Sequence, residues 1–69
     1  MQVSARNALK GIVKQIAVGS VNTEVTVEIG PGVEVTSIIT KSSAEKLNLV
    51  EGKEVYAIVK STDVIIAID

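Results

Sequence analysis

The chain has no cysteine, histidine, phenylalanine or tryptophan, and only one tyrosine and one proline in 69 residues. Without cysteine there are no disulfides to staple a small fold. Without cysteine or histidine the usual zinc sites and the commonest general base are also missing. A chain of this length holds a single domain, residues 1–69, and such domains bury a modest core that metals, disulfides or self-association often supplement. Of those supports only self-association is left. An apolar fraction of 46% is high for so much surface per residue, so part of that surface is expected to lie between copies of the chain.

Other absences exclude other classes. Single-strand nucleic-acid binders stack bases on aromatic rings along a basic groove; here Tyr56 is the only aromatic residue and seven basic residues face eight acidic ones, for a net charge of −1. That balance argues against nucleic acid and anionic membranes as partners. It does not argue against a local cationic pocket, because screening confines charge effects to about 10 Å. The longest apolar run, VIIAI at 64–68, falls far short of the roughly 20 residues a membrane-spanning helix needs. The opening residues, MQVSARNALKG, lack the apolar stretch and cleavage site of a secretory signal, so the expected location is cytoplasmic. An enzyme is not expected. Glu24 and Glu28 share the polar face of a strand, where paired carboxylates are usually solvated charges rather than an acid–base pair.

What is present is period-two alternation. In VNTEVTVEI (21–29), Val21, Thr23, Val25, Val27 and Ile29 share one face and polar residues the other, which predicts a half-buried strand. GPG at 30–32 stops it, and VEVTSIIT (33–40) resumes with Val33, Val35 and Ile39 on one side, giving a hairpin. Residues 7–18 form a long first strand with apolar residues on both faces, expected to bend around a barrel at Gly11. The exception to the β pattern is TKSSAEKLNL (40–49). Ser42 followed by Glu45 fits a capping box, and Ala44 with Leu47 makes a helical apolar pair, predicting a helix of about two turns. A turn at Gly52 leads into a fourth strand over 54–60, and the run at 64–68 predicts a fifth. The order β-β-β-α-β-β is that of an all-β fold with one short helix, a five-stranded OB-like barrel.

Hydrogen-bond donors concentrate in three segments: SARN (4–7), TKSS (40–43) at the helix start, and KST (60–62) after the fourth strand. First-turn N–H groups and neighbouring hydroxyls suit an anion, and Arg6 with Lys60 could neutralise a dianion. Taken singly, Thr40 and Ser42 read as helix caps, Arg6 as a solvated charge and KST as a polar turn. Pattern alone leaves both readings open.

The stretches SARNALKGIVKQIAVGSVNTEV (4–25) and IITKSSAEKLNLVEGKEVYAIVKSTDVIIA (38–67) closely resemble the molbindin family of small cytoplasmic molybdate-binding proteins. The same pattern recurs in molybdate-binding domains of transcription regulators and transporter ATPase subunits. The resemblance implies an OB-like fold, assembly into a homo-hexamer as a trimer of dimers, and molybdate or tungstate bound where subunits meet. It implies that Ser4, Ala5 through its backbone, Arg6, Lys60 and Ser61 come from one subunit, and Thr40 and Ser43, with the backbone near Ser42, from its neighbour. A second kind of site is expected near Val18, Gly19, Ser20 and Asn22. The function so implied is storage, buffering or delivery of the oxyanion; the competing reading is a structural or oligomerisation domain without a small-molecule ligand.

Overall fold

The computed structural model describes residues 1–69. Four strands, β1 (Asn7–Val18), β2 (Asn22–Gly30), β3 (Val33–Thr40) and β4 (Glu54–Val59), form one antiparallel sheet in the order β3-β2-β1-β4. A six-residue helix, α1 (Lys41–Lys46), joins β3 to β4, and a 3₁₀ turn (Ser61–Asp63) follows β4. The length of β1 sets the architecture. Residues 7–12 pair with β4, whereas β2 is paired from Ile12 to Val18, so one strand serves two neighbours along different parts of its length. The result is an all-β half-barrel, open between the edges β3 and β4.

The core is built by cross-strand pairs. Val13 lies opposite Val27 and Ile16 opposite Val25, although residues three apart on a regular strand face opposite ways. The register shift between Val13 and Gln15 resolves this: Lys14 is the extra residue of a bulge that returns Ile16 to the inner face. The bend therefore falls at Lys14, not at Gly11 as expected. Gly11 is needed for close approach, since a Cβ there would lie 2.6 Å from both Glu28 O and Val27 Cγ1. Val13, Val25 and Val27 are the buried apolar side chains, with Ile16, Ile29, Ile39, Leu49 and Val55 packed around them. Val21 and Val33, both expected on the inner face, are largely exposed, because they sit at the turn before β2 and at the hairpin end of β3.

Other expectations are corrected in α1 and at the C-terminal end. The N-cap is Thr40, whose side chain accepts from the Ser43 N–H; Ser42 and Glu45 do not form the expected capping box. The helix runs for fewer than two turns because Asn48 adopts φ 52°, a left-handed conformation that asparagine tolerates and a helix does not. Lys53 Nζ then donates to the carbonyls of Leu47 (2.7 Å) and Asn48 (3.2 Å), satisfying groups the short helix leaves open. The fourth strand ends at Val59, one residue early. There is no fifth strand: residues 64–68 leave the 3₁₀ turn unpaired, with Ile65, Ile66 and Ile68 each more than four-fifths exposed. A β pattern becomes a strand only where an edge lies alongside, and the turn carries this segment away from its own sheet.

The chain exposes 5472 Å², roughly 1,300 Å² more than the scaling of surface with mass gives for a compact monomer of this size. The open side of the barrel accounts for part of it. There, a groove of about 270 Å³ between β3 and β4 is lined almost wholly by apolar side chains, among them Val35, Ile39, Leu49, Val55 and Ala57.

Candidate functional site

The start of β1 and the end of β4 meet because Asn7 pairs with Val59, a contact reinforced by Asn7 Nδ2 donating to Val59 O at 3.2 Å. The Asn7 amide is thus engaged in the fold. The residues just beyond this pair on either side, 4–6 and 60–62, come together and line one open depression of about 180 Å³: Ser4, Ala5, Arg6, Lys60, Ser61 and Thr62. Five of the six carry side-chain donors and none is acidic. Neither Arg6 nor Lys60 joins an ion pair; the one ion pair in the chain, Lys10 with Glu54 at 3.4 Å, is exposed and elsewhere. Thr62, conspicuous in the sequence as part of KST but outside the set the resemblance implies, lines the depression with the rest.

The other donors gather at the opposite end of the sheet. Asn22 pairs with Thr40, and there the Thr40 hydroxyl accepts from the Ser43 N–H (3.1 Å) and donates to Ser43 Oγ (2.8 Å), with Ser42 Oγ 3.3 Å away. A hydroxyl has one proton. Because Thr40 gives its proton to Ser43 Oγ, the Ser43 proton is free to point outward, so the cluster presents donors. This group does not line the depression at 4–6 and 60–62. The two sets are separated by the length of β1, a 12-residue strand in a molecule 35 Å along its longest axis.

The residues expected for a second site, Val18, Gly19, Ser20 and Asn22, form the β1–β2 turn, which the Gly19 N–H closes onto Asn22 O at 2.8 Å. The Lys41 N–H donates to Val21 O at 2.8 Å, so this turn sits against the start of α1, beside the Thr40 cluster. Of these four residues Val18 lines a depression, which it shares with Ile16, Thr23, Lys41 and Glu45 among others. Thr23 in that wall faces inward, as the alternation in 21–29 predicts. It is 1% exposed, and its Oγ1 has no hydrogen-bond partner.

Fold and depression together define a small open β-barrel domain whose donor-lined, cationic hollow lies at a sheet corner. The chain belongs to the TOBE domain family, whose model matches residues 3–66. It is 52% identical over 66 residues to molybdenum-pterin-binding protein 2 of Clostridium pasteurianum, covering 96% of this chain and 97% of that one. Its structure matches that of MopII from C. pasteurianum with a TM-score of 0.91 at 49% identity, covering 97% of this chain and all of that one. It also matches ModG, described as a cytoplasmic molybdate-binding protein and solved with molybdate bound, with a TM-score of 0.89 at 43% identity over 94% of this chain and 46% of that one.

Proposed function

We propose that the protein binds molybdate or tungstate at sites shared between copies of the chain and serves to store, buffer or deliver the oxyanion in the cytoplasm. The observation that carries this reading is the pair of donor sets at opposite ends of β1: Ser4, Ala5, Arg6, Lys60 and Ser61 at one, Thr40, Ser42 and Ser43 at the other. An oxyanion a few ångströms across cannot touch both sets of one chain. Two copies placed end to end would enclose it, Arg6 and Lys60 supplying two positive charges and the hydroxyls and backbone N–H groups the remaining donors.

The chemistry of the lining suits this ligand. Molybdate is a fully deprotonated tetrahedral dianion near neutrality, so a wall rich in donors and free of carboxylates suits its oxygens. Phosphate keeps a proton there that only a hydroxyl oxygen could accept, at the cost of one donor turned toward the anion. Sulfate carries no proton and is rejected by size alone, its shorter bonds leaving its oxygens too far from some donors. Nothing in the donor sets is a nucleophile activated by a base, so binding rather than catalysis is the activity.

Self-association follows from the same features. The surplus surface, the apolar groove and the exposed segment 64–68 are complementary, and a groove between two unpaired edges accepts a strand. A second copy is the occupant, because the segment leads away from its own groove and the anion site needs a second copy too. Assembly as a homo-hexamer, a trimer of dimers, would repeat this contact and create further junctions near Val18, Gly19, Ser20 and Asn22. Neither nucleic acid nor a membrane is a partner in this reading, and no helix is long and apolar enough to cross a bilayer.

Calorimetric titration of the anion-free protein with molybdate in excess sulfate tests the proposal. Saturable heat is expected; no heat from an intact oligomer would leave the donors as caps and turns and favour a purely structural domain.

A further inference from the structure

The residues that line the depression also launch the unpaired segment. Lys60, Ser61 and Thr62 form half of the depression's wall, and the 3₁₀ turn they belong to is held only by Asp63 N–H to Lys60 O (2.9 Å) and a long Val64 N–H to Ser61 O contact (3.4 Å). Beyond Val64 the segment makes no backbone hydrogen bond to the rest of the chain. Ser61, Thr62 and Asp63 are exposed, and the turn's N-cap residue, Lys60, makes no side-chain hydrogen bond to it. The direction in which 64–68 leaves the sheet is therefore set by a three-residue turn with few constraints.

We infer that this turn is a coupling hinge, through which an oxyanion in the depression fixes the course of segment 64–68 and so locks that segment into the groove of a second copy. The inference rests on the proposed binding reading and extends it to control of assembly. Lys60 and Arg6 lie one step beyond the Asn7/Val59 pair and both line the depression without an ion-pair partner, so their like charges disfavour closure of the turn onto residues 4–6. A bound dianion reverses the sign of that interaction. It draws Lys60 and the donors of Ser61 and Thr62 toward Ser4 and Arg6, and the turn closes in one geometry. Because Val64 follows directly, that geometry fixes where Ile66 and Ile68 arrive. Any ligand that binds the locked assembly better than the loosened one shifts the equilibrium by that difference.

The test is the rate at which subunits exchange between oligomers. The chain has no cysteine, so Glu51→Cys, in the exposed turn before β4 and outside both donor sets and the groove, takes donor or acceptor fluorophores. The two populations are mixed in a urea concentration that gives measurable exchange without anion, and energy transfer is followed with and without saturating molybdate. Molybdate is expected to slow exchange at least tenfold. Inserting two glycines between Asp63 and Val64 leaves every donor in place but disconnects the turn from the segment; molybdate heat should persist in calorimetry while the slowing falls at least threefold, to what an anion held by two chains gives without the hinge. Slowing as large in the insertion variant as in the unmodified chain would overturn the hinge and leave the binding reading intact; molybdate heat without slowed exchange would overturn the hinge and the two-chain site together. Absence of heat in the unmodified chain would overturn both.

Discussion

Arg6 and Lys60 flank a shallow hollow with no carboxylate to neutralise them, so substituting either should affect ligand binding more than folding. Arg6→Ala is expected to weaken molybdate binding by on the order of 1.5–3 kcal/mol, the usual worth of a hydrogen bond to a charged group, with little change in the unfolding midpoint; titration and urea unfolding together check this. Thr40 has a double role, as helix cap and as the group that orients the Ser43 proton. Thr40→Ser should preserve both, whereas Thr40→Val should cost roughly 0.5–2 kcal/mol of stability and also lower affinity. Thr23 behaves oppositely. Its hydroxyl is buried and unpaired, so Thr23→Val should stabilise the protein by about 1 kcal/mol or more, seen as a higher urea midpoint. The donor residues stood out in the sequence because their types are concentrated; the unpaired state of Thr23 did not, since alternation places it on the inner face without naming its neighbours.

At the level of elements, the hairpin and the long first strand were legible because alternation and the GPG stop are local signals. The bulge at Lys14 was not, because mixed apolar faces in 7–18 fit several bend positions and only pairing with β2 selects one. Gly11 serves close approach rather than a bend: it tolerates no Cβ because β2 crosses close by. Gly11→Ala should therefore destabilise the fold by about 1–3 kcal/mol, the range for overpacking, measured by thermal unfolding. The fifth strand shows the limit of pattern reading. VIIAI has the composition of a strand, yet strand formation depends on a partner edge, and that edge is not offered by the same chain in this structure.

At the scale of the whole molecule, three buried valines are a small core for 69 residues, and the excess of exposed surface is larger than the roughly 800 Å² each partner buries in a standard interface, which the proposed self-association would cover. Apolar content without cysteine pointed to this in the sequence, while the separation of the donor sets to opposite ends of β1 needed the structure. Removing residues 64–69 should convert the oligomer to monomer or unfold it, read by light scattering and circular dichroism, and abolish molybdate binding in either case. The central claim, that each anion is held by two chains, is tested most directly by complementation. Chains carrying Arg6→Ala and chains carrying Thr40→Ala with Ser43→Ala should each bind molybdate at least about tenfold more weakly than the unmodified protein. Unfolded, mixed and refolded together, they should regain full-affinity binding at a fraction of the sites, because junctions between the two kinds of chain can combine an intact Arg6 set with an intact Thr40 set. A mixture that binds no better than its parents, with mixed oligomers verified by mass spectrometry, would contradict the account.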